Sequence, residues 1–212
     1  MLELGLKVLA SYLLGAINGS LLLGWLKGID IRTQGSGNAG GTNALRTQGW
    51  FFAVLVMAID VGKGFVAPWL LPGLDLPGVG LDPAVSREWL LLACAGAAVF
   101  GHCYPVWFNF QGGKGAATAV GALLAVAPAM LLVAGIVWAG TLVISGMVGL
   151  ATMAAAVSLP ILGLFTAASG PLLIFLVLLA GFVLFTHRSN IRRILRGEEN
   201  RMEKAMLLRR LR

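Results

Sequence analysis

Long apolar runs alternate with short polar islands along this chain of 212 residues. The runs predict helices near residues 4–26, 50–72, 89–108, 116–130, 131–145, 147–166 and 171–187. A spanning helix needs about 20 mostly apolar residues to cross a hydrocarbon core about 30 Å thick. Between Gly115 and Thr166 only Pro128, Thr141, Ser145 and Pro160 interrupt the apolar character, so two long helices or three short ones would fit. Three are preferred, because two would leave an excess of apolar residues over the core thickness. The first run is too long for a cleavable signal peptide and lacks a credible cleavage site. The pattern therefore predicts an all-α integral membrane protein with seven transmembrane helices and no internal repeat.

Composition agrees. The chain is 58% hydrophobic and 12% charged, against roughly 45–50% and about 25% in soluble domains. Its net charge of +7 is concentrated at the end. Residues 188–212 carry nine Lys or Arg against three Glu, and the loop 27–49 carries Lys27, Arg32 and Arg46 against Asp30. The loop 73–88 is the opposite, with Asp75, Asp82 and Glu88 against Arg87. Basic loops stay on the cytoplasmic side. The expectation is an N-terminus outside, a C-terminus in the cytoplasm, a single transmembrane domain over 1–187 and a basic cytoplasmic tail over 188–212. That tail reads as a topology signal and an attraction to anionic membrane lipids, not as a nucleic-acid surface.

The polar islands fall at the expected cytoplasmic ends of the helices. They are GSGNAGGTNALR (35–46), GHCYPVWFNFQGGKGAAT (101–118), Ser145, and HRSN (187–190). Glycine-rich turns let backbone N–H groups approach an anion, and a helix starting after GGKG adds its positive end. Lys114 and Arg46 add full charges, and the guanidinium fork suits phosphate. Ser36, Asn38, Thr42 and Asn43 add hydroxyl and amide groups. The ligand class these residues fit is phosphate, in one or two copies. Known phosphate motifs do not account for them: FQGGKGAAT lacks the first glycine and the Ser/Thr of a P-loop, and GSGNAGG has no strand before it.

Other chemistry is poorly supported. Two histidines 85 residues apart with no cysteine or carboxylate cluster make no metal-ligand set. Cys94 and Cys103 project to different faces of one expected helix and read as free thiols. Asp60 and Lys63 share a face deep in an apolar run, where a functional pair and a pair that tightens the bundle fit equally. His102 could orient a loop or assist catalysis. A transporter or exchanger of phosphate or a sugar phosphate is the alternative, but it predicts inverted repeats and a site at mid-bilayer.

GSGNAGGTNALR, DVGKG at 60–64, GHCYPVWFNFQGGKGAAT and HRSNIRRILRGEE together resemble, in order and spacing, the signature segments of one family. This is the bacterial acyl-phosphate-dependent glycerol-3-phosphate acyltransferases, the PlsY family. The resemblance covers essentially the whole chain. It implies a seven-helix enzyme of the bacterial cell membrane with a cytoplasmic active site and no cofactor. That enzyme moves a fatty acyl group from a long-chain acyl phosphate to the 1-hydroxyl of glycerol 3-phosphate, giving lysophosphatidic acid and phosphate. It implies membrane lipids as surroundings, and as a partner the peripheral enzyme that makes acyl phosphate.

Carried over, the resemblance gives Ser36, Arg46 and Lys114 the phosphate of glycerol 3-phosphate. His187 and Asn190 would contact its glycerol part or the nearby loop, with Ser145 beside the site. Gly37, Asn38, Thr42, Asn43, Gly112, Gly113, Lys114 and Gly115 would line the site of the donor phosphate. Lys114, Arg46, Ser36 and His187 are the expected catalytic set, His187 either accepting a proton or only positioning substrate. The chain departs from the family pattern at Ala16 and Asn18, where GAIN replaces GSIP, at Gln111 in place of Lys, and at Leu142 and Val143 in place of Arg-Tyr.

Overall fold

The computed structural model of the chain describes residues 1–206, so the last six residues of the expected basic tail lie outside the described part. Among the described residues the regular structure is all helical. The helices are α1 (Leu2–Gly15), α2 (Gly19–Leu26), α3 (Gly41–Gln48), α4 (Trp50–Leu70), α5 (Arg87–Cys103), α6 (Ala116–Val126), α7 (Pro128–Ser145), α8 (Val148–Phe165), α9 (Gly170–Thr186) and α10 (Arg188–Leu195). The chain forms two compact units, Met1–Val126 and Ala127–Arg212.

Every predicted apolar run is helical, with differences that have local causes. The first run is broken: α1 and α2 meet at a bend of 50°. Asn18 causes the break, its Oδ1 accepting the Leu21 N–H at 3.1 Å as the N-cap of α2. Three helices fill 116–166, as the apolar excess required, but the second begins at Pro128 and not at 131. Proline suits a first helical turn, whose N–H groups lack intrahelical partners. The last run bends by 58° at His187 and continues as α10. The loop 27–49 is not wholly irregular, since it contains the short helix α3, which carries Arg46.

Among the described residues, four helical stretches are long and apolar enough to cross a membrane by themselves, or six if each bent pair makes one span. The chain is thus a multi-span membrane protein. α6 is apolar but has only 11 residues, about 16 Å of helix. In α7 only 6% of the apolar window is buried, which leaves Leu132, Ile136 and Ile144 facing outward.

In the first unit, α1 packs on α5 and α4 on α6 with their backbones nearly touching. A Cβ on Gly15 would strike the Ala98 backbone, and one on Gly101 the Tyr12 carbonyl. Gly64 and Gly121 make the equivalent approaches to the carbonyls of Thr118 and Val61. Small residues bring membrane helices into dispersion contact where the hydrophobic effect supplies no drive. At the N-terminal end of α1, Glu3 accepts hydrogen bonds from Lys7 (2.9 Å), Arg87 (2.7 Å) and the Asp82 N–H (2.8 Å). The Met1 ammonium pairs with Asp82. These bonds lace α1 to the 73–88 loop and to α5.

In the second unit α8 packs on both α7 and α9. Gly146, in the left-handed region at φ +71°, ends α7 and allows the tight turn into α8. Ser145 accepts the Met147 N–H at 3.1 Å and donates to the Thr141 carbonyl at 2.7 Å, fixing that turn.

Candidate active site

The first glycine-rich loop is built around two side chains. Asp30 caps a single turn at Ile31–Thr33 and takes the Arg32 guanidinium in a fork, at 2.8 Å from Nη2 and 2.9 Å from Nε. Asn43 lies at the centre of the loop and is 1% exposed. Its Oδ1 accepts the Ser36 N–H at 2.9 Å, and its Nδ2 donates to the carbonyls of Gln34 (2.9 Å) and Ile31 (3.1 Å). Gly35 and Gly37 have φ of +56° and +72°, which lets the chain turn tightly around that amide. Ser36 and Arg46 stay exposed on the outside of the loop, with Asn38 and Thr42 half-buried.

The second loop folds back on the end of α5. Gly112 donates its N–H to the Cys103 carbonyl at 3.0 Å, and Gly113 to the His102 carbonyl at 3.2 Å. Both glycines are needed sterically, since a Cβ on either would enter the backbone or the His102 ring. Asn109 and Phe110 just before them have φ of 55° and 58°, a conformation uncommon outside glycine. Gly115 follows at φ +85°, and α6 starts at Ala116.

The two loops are tied together. Arg32 Nη1 donates to the Gln111 carbonyl at 3.1 Å, and Asn18 Nδ2 reaches both Ala39 O (3.3 Å) and His102 O (3.4 Å). Gly113 lies against the Ala39 carbonyl. Ser36, Arg46 and Lys114 are thereby carried on two turns fastened to each other. Beneath them Lys63 Nζ bonds Ile17 O (2.8 Å), Asp60 Oδ1 (2.9 Å) and His102 Nδ1 (3.0 Å).

This arrangement of loops occurs in a chain whose residues 6–197 match the sequence pattern described as glycerol-3-phosphate acyltransferase. The chain belongs to the glycerol-3-phosphate acyltransferase family. It is 43% identical over 205 residues to the glycerol-3-phosphate acyltransferase of Thermosynechococcus vestitus, covering 94% of this chain and 95% of that one. It is 40% identical over 195 residues to the enzyme of that name from Aquifex aeolicus, at 92% and 96% coverage. Two solved structures share the fold, both of PlsY (YgiH), an integral membrane glycerol 3-phosphate acyltransferase. Its glycerol 3-phosphate form superimposes with a TM-score of 0.83 at 35% identity, over 94% of this chain and 95% of that one. Its lysophosphatidic acid form gives 0.80 at 35% identity, over 93% and 94%.

The second unit of this acyltransferase holds the remaining expected residues. His187 sits at the bend between α9 and α10, 4% exposed. Its Nδ1 is 2.8 Å from the Val183 carbonyl. A carbonyl only accepts, so Nδ1 carries hydrogen and the neutral ring has its lone pair on Nε2. Asn190, 6% exposed, packs against Gly149 and donates to Glu199 at 2.6 Å. Arg193 in turn holds Glu199 at 2.7 Å. Ser145, the last residue of α7 and four residues before Gly149, accepts the Met147 N–H in the turn that leads into α8.

Sequence reasoning missed three contributors. Arg32 gave only a topology signal, and its tie to Gln111 depends on the three-dimensional meeting of two loops. Asn18 stood out only as a departure from the family pattern, and its part in the helix break was not read from the sequence. Glu199 was read only as part of the tail. The expectation that Gly112 and Gly113 offer backbone donors to an anion needs correction, because both N–H groups are engaged with α5. The Asn43 amide is likewise engaged within its own loop and shapes it. Among the described residues no group of three His, Cys, Asp or Glu could hold a metal ion.

Proposed function

We propose that this chain transfers a fatty acyl group from acyl phosphate to the 1-hydroxyl of glycerol 3-phosphate, releasing lysophosphatidic acid and inorganic phosphate. The observation that carries this reading is the pair of loops bearing Ser36 and Arg46 on one and Lys114 on the other, fastened by Arg32 and Asn18, in a chain of this family. Arg46, Ser36 and Lys114 bind the phosphate of glycerol 3-phosphate. Lys114 and Gly115, at the entry to α6, face the donor phosphate with Gly37, Asn38 and Thr42. His187, Asn190 and Ser145 orient the glycerol part.

In the reaction the 1-hydroxyl oxygen attacks the acyl carbonyl carbon, and the bond from that carbon to the phosphate oxygen breaks. The hydroxyl proton passes to the departing phosphate. An acyl phosphate is an activated mixed anhydride, so no covalent enzyme nucleophile is needed. Position and charge compensation supply the acceleration, and the fixed cations face the oxygens on which charge develops. The acyl chain remains among lipids while both phosphates face water.

The same reading includes seven spans, with α6 as the short one, an outside N-terminus and a cytoplasmic C-terminus. It treats 1–187 as one acyltransferase domain in a bacterial cell membrane, with 188–212 as a basic tail. A peripheral enzyme that makes acyl phosphate would deliver the donor. The test is to give the purified protein palmitoyl phosphate and glycerol 3-phosphate and to follow lysophosphatidic acid and phosphate. Equimolar appearance of both is expected. Phosphate release without lysophosphatidic acid, or no turnover, would overturn the proposal.

A further inference from the structure

We propose that Lys63, charge-balanced by Asp60, fixes His102 as a neutral imidazole protonated on Nε2. The same proposal makes this ring a positioning residue that sets the separation of the two phosphate loops. The chemistry of the hydrogen bonds carries the first half. A lysine ammonium has three N–H donors and no acceptor. Lys63 Nζ has three near neighbours, Ile17 O at 2.8 Å, Asp60 Oδ1 at 2.9 Å and His102 Nδ1 at 3.0 Å. Nδ1 is also 3.3 Å from Asp60 Oδ1, but the ammonium is nearer at 3.0 Å and can only donate. Nδ1 therefore accepts from Lys63, and the ring's proton sits on Nε2. A protonated ring would oppose two donors at 3.0 Å. It would also leave a net positive charge among groups that are 0%, 5% and 2% exposed at Asp60, Lys63 and His102. One cation against one anion is the state that burial tolerates.

Geometry carries the second half. The Nδ1 edge of His102 faces the Asp60–Lys63 pair, which is itself anchored at the α1–α2 break, where Gly19 donates to Asp60 Oδ1 at 3.0 Å. The opposite edge, Nε2 and Cε1, abuts Gly113 beside the Ala39 carbonyl, where the two loops meet. The His102 carbonyl holds the same glycine through its N–H at 3.2 Å. The residue that follows Gly113 is Lys114. Rotation or tautomer exchange of this ring therefore moves the Lys114 stem relative to the loop that carries Arg46. His102 touches no substrate in this account and acts only through Gly113.

The kinetic part of this inference rests on the acyltransferase reading, and the spectroscopic part does not. The chain has two histidines, so nitrogen NMR of 15N-histidine-labelled protein in nanodiscs shows two rings, and His187→Gln assigns them. A pyridine-type Nδ1 with a pyrrole-type Nε2 is expected for His102, the reverse tautomer of His187. A protonated or Nδ1–H ring at His102 would overturn the proposal, whether or not lysophosphatidic acid is made. The double variant Asp60→Asn/Lys63→Met removes both charges without stranding one. It should melt as one cooperative unit, lose the fixed tautomer and drop kcat/KM about 10- to 100-fold, with KM for glycerol 3-phosphate raised. Full kcat/KM in that variant would make the pair a mere bundle clamp. Should it fail to fold, His102→Asn keeps an acceptor for Lys63 and lacks the ring edge at Gly113. Undiminished turnover there would equally refute positioning.

Discussion

Arg32 and Gln111 lie 79 residues apart in the sequence, yet a guanidinium N–H of the first meets the carbonyl of the second at 3.1 Å. The same guanidinium grips Asp30 through its other nitrogens. One planar group thus fastens one glycine-rich loop to the other, and a lysine ammonium could not reproduce both contacts. Arg32→Lys should lower kcat/KM about tenfold with little change in melting temperature, as measured by steady-state kinetics and calorimetry.

The Asp30–Arg32 pair also sets a pH expectation. Hydrogen bonding from Arg32 holds the Asp30 carboxyl below its ordinary value, and Asp30 raises Arg32 in return. A carboxyl depressed by folding contributes stability above its unfolded pKa of about 3.9, and loses it as pH falls through the folded value. The loop fastening should therefore be constant from about pH 5 to 8. Asp30→Asn should reduce turnover by one factor across that range and leave the shape of the pH–rate profile unchanged. A new limb in the variant would contradict this.

Arg46 and Lys114 are expected to carry the phosphate recognition. Loss of one charged hydrogen bond costs about 1.5–3 kcal/mol, or about 10- to 150-fold in kcat/KM, and more where transition-state charge is involved. Arg46→Ala and Lys114→Ala should each lose at least that much. Arg196→Gln, an exposed change in the tail, should match the parent enzyme. Near-normal rates in Lys114→Ala would remove it from the site.

Topology can be read with an impermeant thiol reagent on intact cells. Asp82 is a poor probe position, since its carboxylate pairs with the Met1 ammonium and its side chain is 6% exposed. Asp75→Cys, in the exposed part of the same loop, should be labelled, and Asn200→Cys should not. The native thiols Cys94 and Cys103 are buried and should stay silent. Labelling at Asn200 alone would invert the proposed orientation.

For His187 the bond from Nδ1 to Val183 leaves the lone pair on Nε2, a geometry that can accept from a substrate hydroxyl. Acceptance as a hydrogen bond orients the glycerol part, whereas full proton transfer would make His187 the base. With the leaving phosphate taking the proton, His187→Gln should raise KM for glycerol 3-phosphate and keep the acidic limb of the pH–rate profile. Loss of that limb at unchanged KM would assign a general base, worth about 10²–10⁴-fold.

The apolar runs made the helices legible, because a membrane imposes one length and one composition on every span. The split of 116–166 into three helices was readable from length alone. The break at Asn18 was not, since it needs Asp60 of α4 to accept the Gly19 N–H. Among site residues, Arg46 and Lys114 stood out by charge within glycine turns. Glycines carry a double meaning that sequence does not resolve. Gly112 and Gly113 look like anion donors, but each serves the close return of the chain onto α5.

The backbone contacts at Gly15, Gly64, Gly101 and Gly121 have a bearing on how mutational surveys of such proteins are interpreted. None of the four lies within residues 35–46 or 112–115, yet a single added methyl at any of them would wedge two spans apart. A saturation screen scored on growth would rank them beside Arg46 and Lys114. Scoring membrane abundance alongside growth would separate the two groups: alanine at the four glycines should empty the membrane of protein, whereas alanine at the cations should leave it full of inactive enzyme.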